Sequence, residues 1–310
     1  MAPPSLTKFL LLVLLGAASS SSADYACKPS CGAIPIHYPF GTGPGCGSPL
    51  FHPHVACAGG GHQDQLTFTT RSGSYPVDAV DYANQILYVS DPSMSTCSAT
   101  NPSRGFSLDW DAPFAFADAR NVFALLDCFP TPTLNATLCD TSSSSSICGL
   151  LYTCPAVAAL GAPVSTCCVY APASLGPAFD VDLTQLRCAS YAAVRGFNGA
   201  ETRPDEWDFG IALKYRFSAD DGFPSACADC EKSGGMCGYA TAATATATAT
   251  AAVYNSFACS CGNGMNSSTN CYFAASAASW SSGGARRRIL PLGLWLTCIW
   301  LAIAWTQLQF

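Results

Sequence analysis

A few residue groupings in this chain have the types and spacing that chemistry needs. His52, His54 and His62 lie close in sequence to Cys46 and Cys57, a mixed imidazole and thiolate set of the kind that binds zinc. Asp109 with Asp111, and Asp205 with Glu206 and Asp208, offer paired carboxylates of the kind glycosidases use. The tripeptide Asp208-Phe209-Gly210 has the form of a magnesium-binding motif of phosphoryl transfer, but no glycine-rich nucleotide loop or His-Arg-Asp accompanies it. Each grouping has a plainer reading. Surface acid is ordinary in an acidic protein, and cysteines of an exported chain enter disulfides before they bind metal. No serine or cysteine nucleophile motif is written in the sequence. The expectation is a protein with no catalytic residues, no metal centre and no bound cofactor.

Sulfur is the dominant chemistry. Of nineteen cysteines, Cys298 lies in an apolar tail. The other eighteen are Cys27, Cys31, Cys46, Cys57, Cys97, Cys128, Cys139, Cys148, Cys154, Cys167, Cys168, Cys188, Cys227, Cys230, Cys237, Cys259, Cys261 and Cys271. An even number in an exported region implies a disulfide framework, here of up to nine bridges whose connectivity the sequence does not give. Asn135-Ala-Thr137 and Asn266-Ser-Ser268 are N-glycosylation acceptors, which suits the same compartment.

Both ends read as targeting segments. Residues 1–23 have a lysine, the apolar run Phe9–Leu15 and small residues up to Ser21-Ser22-Ala23, the pattern of a secretory signal. Residues 289–310 are apolar and long enough to cross a bilayer. Two readings of that tail stand side by side: a transmembrane helix, or a signal replaced by a glycolipid (GPI) anchor. Arg286-Arg287-Arg288 would lie on the lumenal side, against the positive-inside rule. The small residues of 274–279 and the spacer to residue 288 favour the GPI anchor, attached at Ser276, with Ser279 and Ser282 as alternates. The expected place is the outer face of the plasma membrane and the cell wall.

Setting aside Lys8 and the three tail arginines leaves ten basic against twenty acidic residues, a net charge of −10. That balance excludes a general nucleic-acid-binding surface. Alternation of apolar and polar residues predicts strands over Gln65–Thr70, Gln85–Ser90, Phe106–Trp110, Asn121–Cys128, Phe179–Leu183 and Gly210–Phe217. The last is the clearest, with Ile211, Leu213, Tyr215 and Phe217 on one face. A short helix is compatible with the sequence around Leu183–Val194. The serine run 141–146 and the Ala/Thr tract 240–252 read as unstructured insertions. The fold class expected is a disulfide-rich, β-dominated secreted ectodomain of short strands and loops with little helix. Two modules are expected, 24–135 and 136–273, the second carrying the 240–252 insertion, followed by a spacer over 274–288.

One segment is dense enough in cysteine, proline and glycine to exclude helix: Cys27–Cys57. Its order is Cys27-x3-Cys31-Gly32, Ile34-x-Ile36-x-Tyr38-Pro39-Phe40-Gly41, Cys46-Gly47, Phe51 and Cys57. Further on come Asn121-Val-Phe with Cys128, Cys154-Pro155 and the Cys167-Cys168 pair. Last come Cys227-x2-Cys230-x2-Ser233-Gly-Gly-x-Cys237-Gly-Tyr239 and Phe257-x-Cys259-x-Cys261. In this order the motifs resemble the extracellular region of plant wall-associated kinases, a galacturonan-binding domain followed by a C-terminal cysteine-rich module shared with the leaf-rust-resistance kinase-like receptors. The resemblance implies a kinase-less receptor-like protein, co-receptor or wall tether that binds pectic galacturonan, with a receptor kinase as partner. The alternative is an ectodomain that binds a protein, a receptor or secreted peptide, rather than a glycan.

The ligand surface implied by the resemblance falls on Tyr38, Phe40, Lys28 and Arg71. Tyr38 and Phe40 can serve as core or as a platform for sugar rings, whose C–H groups pack on a π-face. Galacturonan is a polyanion, so a negative protein needs either a local cation cluster or a bridging ion. The cluster would draw on Lys28, Arg71, Arg104, Arg120, Arg187, Arg195, Arg203, Lys214 or Arg216. Calcium shared between carboxylates of protein and polymer is the other route.

Overall fold

The computed structural model describes residues 27–59, 64–101, 103–117, 121–129, 144–170, 182–217, 223–243, 253–262 and 265–272. The expected signal segment 1–23, His62, Arg120, Asn135, Cys139, residues 179–181 of the expected strand Phe179–Leu183, Ser276, the expected spacer and the apolar tail lie outside these residues. The strands in chain order are β1 (Ser30–Cys31), β2 (Ile34–Pro35), β3 (Val55–Ala58), β4 (Gln65–Thr70), β5 (Gly73–Asp81), β6 (Ile86–Val89), β7 (Phe114–Phe116), β8 (Val122–Cys128), β9 (Cys168–Tyr170), β10 (Cys188–Gly196), β11 (Asp208–Phe209), β12 (Ile211–Tyr215), β13 (Met236–Ala243), β14 (Val253–Ser260) and β15 (Asn266–Ser267). The helices are α1 (Ser144–Leu151), α2 (Pro155–Ala158), α3 (Leu183–Leu186) and α4 (Pro224–Lys232).

The largest sheet has six antiparallel strands in the order β3-β4-β5-β6-β12-β7. It curls around its own aromatic side chains. Phe68 on β4 and Phe114 on β7 stand at 4.9 Å between ring centroids, although three strands separate them in the sheet. Phe51, fully buried, meets Phe40, Phe114, Tyr215 and Phe217 edge-on. Such edge-to-face contacts suit the ring quadrupole and add to the area term of burial.

A second sheet, β11-β10-β8-β9, packs against the first. Period-two alternation gives each face of β8 and β10 a separate role. Phe123, Leu125, Tyr191 and Ala193 join the aromatic core. Ala124, Leu126, Ala192 and Val194 face the other way, onto a smaller core with Cys148, Leu151, Val157 and Trp207. Disulfides Cys97–Cys154 and Cys148–Cys167 hold α1 and α2 there. Cys128–Cys188 ties the paired ends of β8 and β10.

Two polar ties join the sheets. Buried Asn121 accepts the Ala212 N–H at 2.8 Å and donates to the carbonyls of Ala212 and Ala117 at 2.8 and 3.1 Å, so its amide bridges β12 and the end of the β7 segment just before β8 begins. Arg195 on β10 donates to Asp208 at 2.9 Å and to Asp78 on β5 at 2.7 Å, and lies over the Tyr88 ring at 5.3 Å. Burial opposes the guanidinium charge, but the two carboxylates together outweigh it and hold the proton more tightly than usual. Arg195 is therefore committed to the fold, and Asp208 of the Asp-Phe-Gly tripeptide is its partner.

The described residues from 223 onward form a small cysteine module: α4 and the sheet β13-β14-β15, joined by Cys227–Cys237, Cys230–Cys259 and Cys261–Cys271. Gly235 sits against the sulfurs of Cys230, Cys259 and Cys271, where a Cβ would overlap all three.

Several expectations need correction. Phe106–Trp110 is not a strand: Phe106 and Leu108 are buried, but the chain then turns at Asp109–Ala112. Leu183 opens a helix rather than closing a strand, because the Asp182 carboxylate caps it by accepting the N–H groups of Thr184 and Gln185. The serine run enters helix α1 from Ser144, since Ile147, Cys148 and Leu151 give that segment an apolar side to bury. Ala240–Ala243 continues β13, paired with Val253–Ser256 of β14; residues 244–252 lie outside the described residues. Strands from both sides of the expected 135/136 boundary share sheets: β12 lies between β6 and β7, and β10 pairs with β8.

Candidate functional site

A cavity lies between the N-terminal segment and the C-terminal cysteine module. Two disulfides, Cys27–Cys46 and Cys31–Cys57, fix the first wall. Those pairings also remove Cys46 and Cys57 from any zinc site with the histidines. Gly47 has φ 69° and sits against the backbone of Pro39 and Phe40, so a side chain is excluded on both counts. It lets the segment fold back to give its N–H to the Cys237 carbonyl at 2.8 Å. The Gly45 carbonyl accepts the Tyr239 N–H at 2.8 Å, and Cys46 bridges Gly238. The edge of β13 is thus stitched to the loop 45–47. Gly238 has no side chain because the Gly45 carbonyl occupies that place.

The cleft so formed has a volume of about 340 Å³. Its floor is Ile36, Phe40, Cys46 and Cys237, and its polar rim is Lys28, His37, Thr42 and Glu231. The Thr42 hydroxyl accepts the Lys28 N–H at 2.8 Å, and the Lys28 ammonium meets Asp64 at 2.7 Å. Glu231, carried by α4, accepts the Tyr38 N–H at 2.8 Å with one oxygen and lies 3.7 Å from His37 Nδ1 with the other. The Tyr82 hydroxyl donates to the Pro35 carbonyl and accepts the His37 N–H, both at 3.0 Å. Burial first, with Glu231 adding to it against the opposing His37 bond, pushes the Tyr82 phenol up to about 12, so it stays a neutral donor.

The residues singled out in the sequence divide. Tyr38 and Lys28 line the cleft. Phe40 lines its floor but is 2% exposed, so it is core and offers no open platform. Tyr38 is half-buried, stacked on Phe217 with centroids 5.6 Å apart. Arg71 does not line the cleft; its backbone N–H bonds Asp109 at 3.0 Å. Of the remaining described cations, Arg195 and Arg203 are paired with carboxylates, and Lys214 donates to the Asn84 carbonyl at 3.1 Å. Glu231 and Met236 are the residues that sequence reasoning missed. They come from the opposite end of the chain, and nothing in their local spacing marks them beyond a place beside Cys230 and Cys237.

Cys27, Cys31, Cys46, Cys57, Cys97, Cys128, Cys148, Cys154, Cys167, Cys188, Cys227, Cys230, Cys237, Cys259, Cys261 and Cys271 all pair within the described residues. Cys168 is also disulfide-bonded. The sulfurs of Cys259, Cys261 and Cys271 gather closely, but they belong to two disulfides and are closed to a metal. Asn266 is exposed on the short edge strand β15, open to the glycan its sequon invites.

Residues 27–91 match the family described as wall-associated receptor kinase galacturonan-binding. Wall-associated receptor kinase-like 20 of Arabidopsis thaliana is 27% identical over 196 residues, which is 60% of this chain and 28% of the relative. The chain thus spans under a third of that relative's length. No solved structure matches it.

Proposed function

We propose that the chain is an ectodomain of the wall-associated receptor kinase type and that it binds an acidic cell-wall polysaccharide of the galacturonan class at the cleft between its N-terminal segment and its C-terminal cysteine module. One observation carries the reading: the matched segment 27–91 supplies the wall of the cleft from Cys27 to Cys46. The rim offers an ammonium, an imidazole, a hydroxyl and backbone groups over an apolar floor, which suits binding rather than bond-breaking. The Lys28 side chain is 56% exposed, so its ammonium can meet a uronate from the solvent side while still neutralising the nearly buried Asp64 carboxylate. The excess of acid over base in the chain works against a long polyanion. Calcium shared with protein carboxylates offsets that repulsion. Held at the outer face of the plasma membrane, the protein reports occupancy through a partner receptor kinase or tethers the wall.

The test is calorimetry of the full protein, purified from a secretory host, with de-esterified oligogalacturonides in calcium and in chelator. Binding that weakens with salt and with Lys28→Ala supports the cleft. Absence of binding to every pectic fragment sinks the reading and leaves a protein ligand as the alternative.

A further inference from the structure

Trp110 has a place in the fold that neither the cleft nor the core explains. It follows Phe106 and Leu108, which are 0% and 1% exposed, yet it is itself 78% exposed. The turn Asp109–Ala112, closed by the Ala112 N–H on the Asp109 carbonyl at 3.1 Å, throws the indole outward. This loop is firmly placed. Ser72 Oγ accepts the Ser107 N–H at 2.9 Å and donates to the Ser107 carbonyl at 3.2 Å. Asp109 accepts the Arg71 N–H at 3.0 Å and stands 3.8 Å from His54 Nδ1. Arg216 donates its N–H to the Pro113 carbonyl at 3.0 Å. The loop that carries the indole is thus fixed at the seam where the curled six-stranded sheet brings the approach to β7 against the β4–β5 turn.

The neighbours decide what such an indole is for. A protein-binding hot spot sits within an apolar patch that excludes water. Here the chain neighbours are Asp109 and Asp111, with Asp109 held by the Arg71 N–H and facing His54, and the other exposed large apolar side chains among the described residues, Phe129, Val164, Met265 and Tyr272, belong to other segments. One open aromatic face with a hydrogen-bonding rim suits a pyranose ring, whose C–H face packs on the indole while its hydroxyls meet the rim. Asp111, exposed and next to Trp110 in the chain, can accept hydroxyl hydrogen bonds, and with Asp109 it gives the turn a negative charge that repels a free uronate. We infer that Trp110 is the platform of a second glycan subsite, distinct from the cleft, which takes an uncharged pyranose unit: a methyl-esterified uronate or a neutral hexose.

The experiment is acrylamide quenching and emission of the full protein, with Trp110→Phe as the reference that isolates this indole from the other tryptophans. The titrants are methyl-esterified oligogalacturonide, a neutral galactan oligosaccharide and de-esterified oligogalacturonide. The first, the second or both should protect Trp110 from quencher and shift its emission to the blue, and comparing them identifies the source of the ring. Trp110→Ala should weaken that binding about tenfold without changing the melting temperature, and Lys28→Ala should leave it unchanged. The inference is overturned if neither uncharged glycan protects Trp110, if Trp110→Ala binds them as the parent does, or if only the de-esterified polymer responds. Binding of de-esterified polymer that Lys28→Ala weakens and Trp110→Ala does not would leave the cleft standing alone.

Discussion

Glu231 carries more of the cleft than its position suggests. One oxygen holds the Tyr38 N–H and the other faces His37, so a single carboxylate from α4 ties the N-terminal wall to the C-terminal module beside the backbone bonds of 45–47. Glu231→Ala leaves that amide without its acceptor and should cost about 1–3 kcal/mol. Glu231→Gln keeps an oxygen for Tyr38 and should recover most of the loss. Thermal melting measures the cost, and amide exchange at Tyr38 shows whether the loss is local. Tyr38 and Phe40 mark the limit of reading at this scale. Their types were visible as aromatic, but core and platform differ only in what covers them. Phe51, Tyr82 and Tyr215 cover Phe40, and Phe217 stacks on Tyr38.

At the scale of elements, strands with clean alternation were legible. β12 places Ile211, Leu213 and Tyr215 in the aromatic core as its period requires. β10 was not legible, because both its faces are buried and Ala192, Ala193 and Val194 show no alternation. Asn121 belongs to this scale, since its amide stands in for a strand partner where β7 ends. Asn121→Ala leaves the buried Ala212 N–H without its acceptor, while the Ala212 carbonyl keeps the Ala117 N–H, and should cost about 1–3 kcal/mol. Asn121→Asp keeps the acceptor but loses the donor and puts a charge there, so it should be worse. Denaturant unfolding of the two variants checks both the size and the order.

The whole molecule closes only when distant segments meet. Residues 27–91 contain β1 to β6, yet the free edge of β6 is paired by β12, and Phe51 packs on Phe114, Tyr215 and Phe217. Expressed alone, 27–91 should expose a strand edge and an aromatic face and fail to give a monomer with native disulfides. Gel filtration and disulfide mapping against the full protein decide this. The buried phenols set an alkaline limit. Burial holds the Tyr170 and Tyr191 protons well above the usual value, with Asp91 adding to it at Tyr191, and Tyr82 is held at about 12. Each binds its proton more tightly folded than unfolded, so its contribution is whole below about pH 10. That contribution falls as pH rises toward and through the folded values. The melting temperature should drop above about pH 10, with phenolate absorbance from these residues appearing together with unfolding.

The sequence by itself determined the class of the protein. Cysteine number, turn formers and strand period fix a disulfide-stapled β fold, because those signals are local and each acts through covalent or backbone chemistry. The spacing of Cys27–Cys57 also carried the family resemblance. Tertiary structure alone decided which cysteines pair, which aromatics are core and where a ligand can sit. Those depend on contacts between segments as far apart as Tyr38 and Glu231, or Trp110 and the β4–β5 turn. Local pattern says which side chains prefer burial. Only the closed sheet leaves Phe40 inside and Trp110 out.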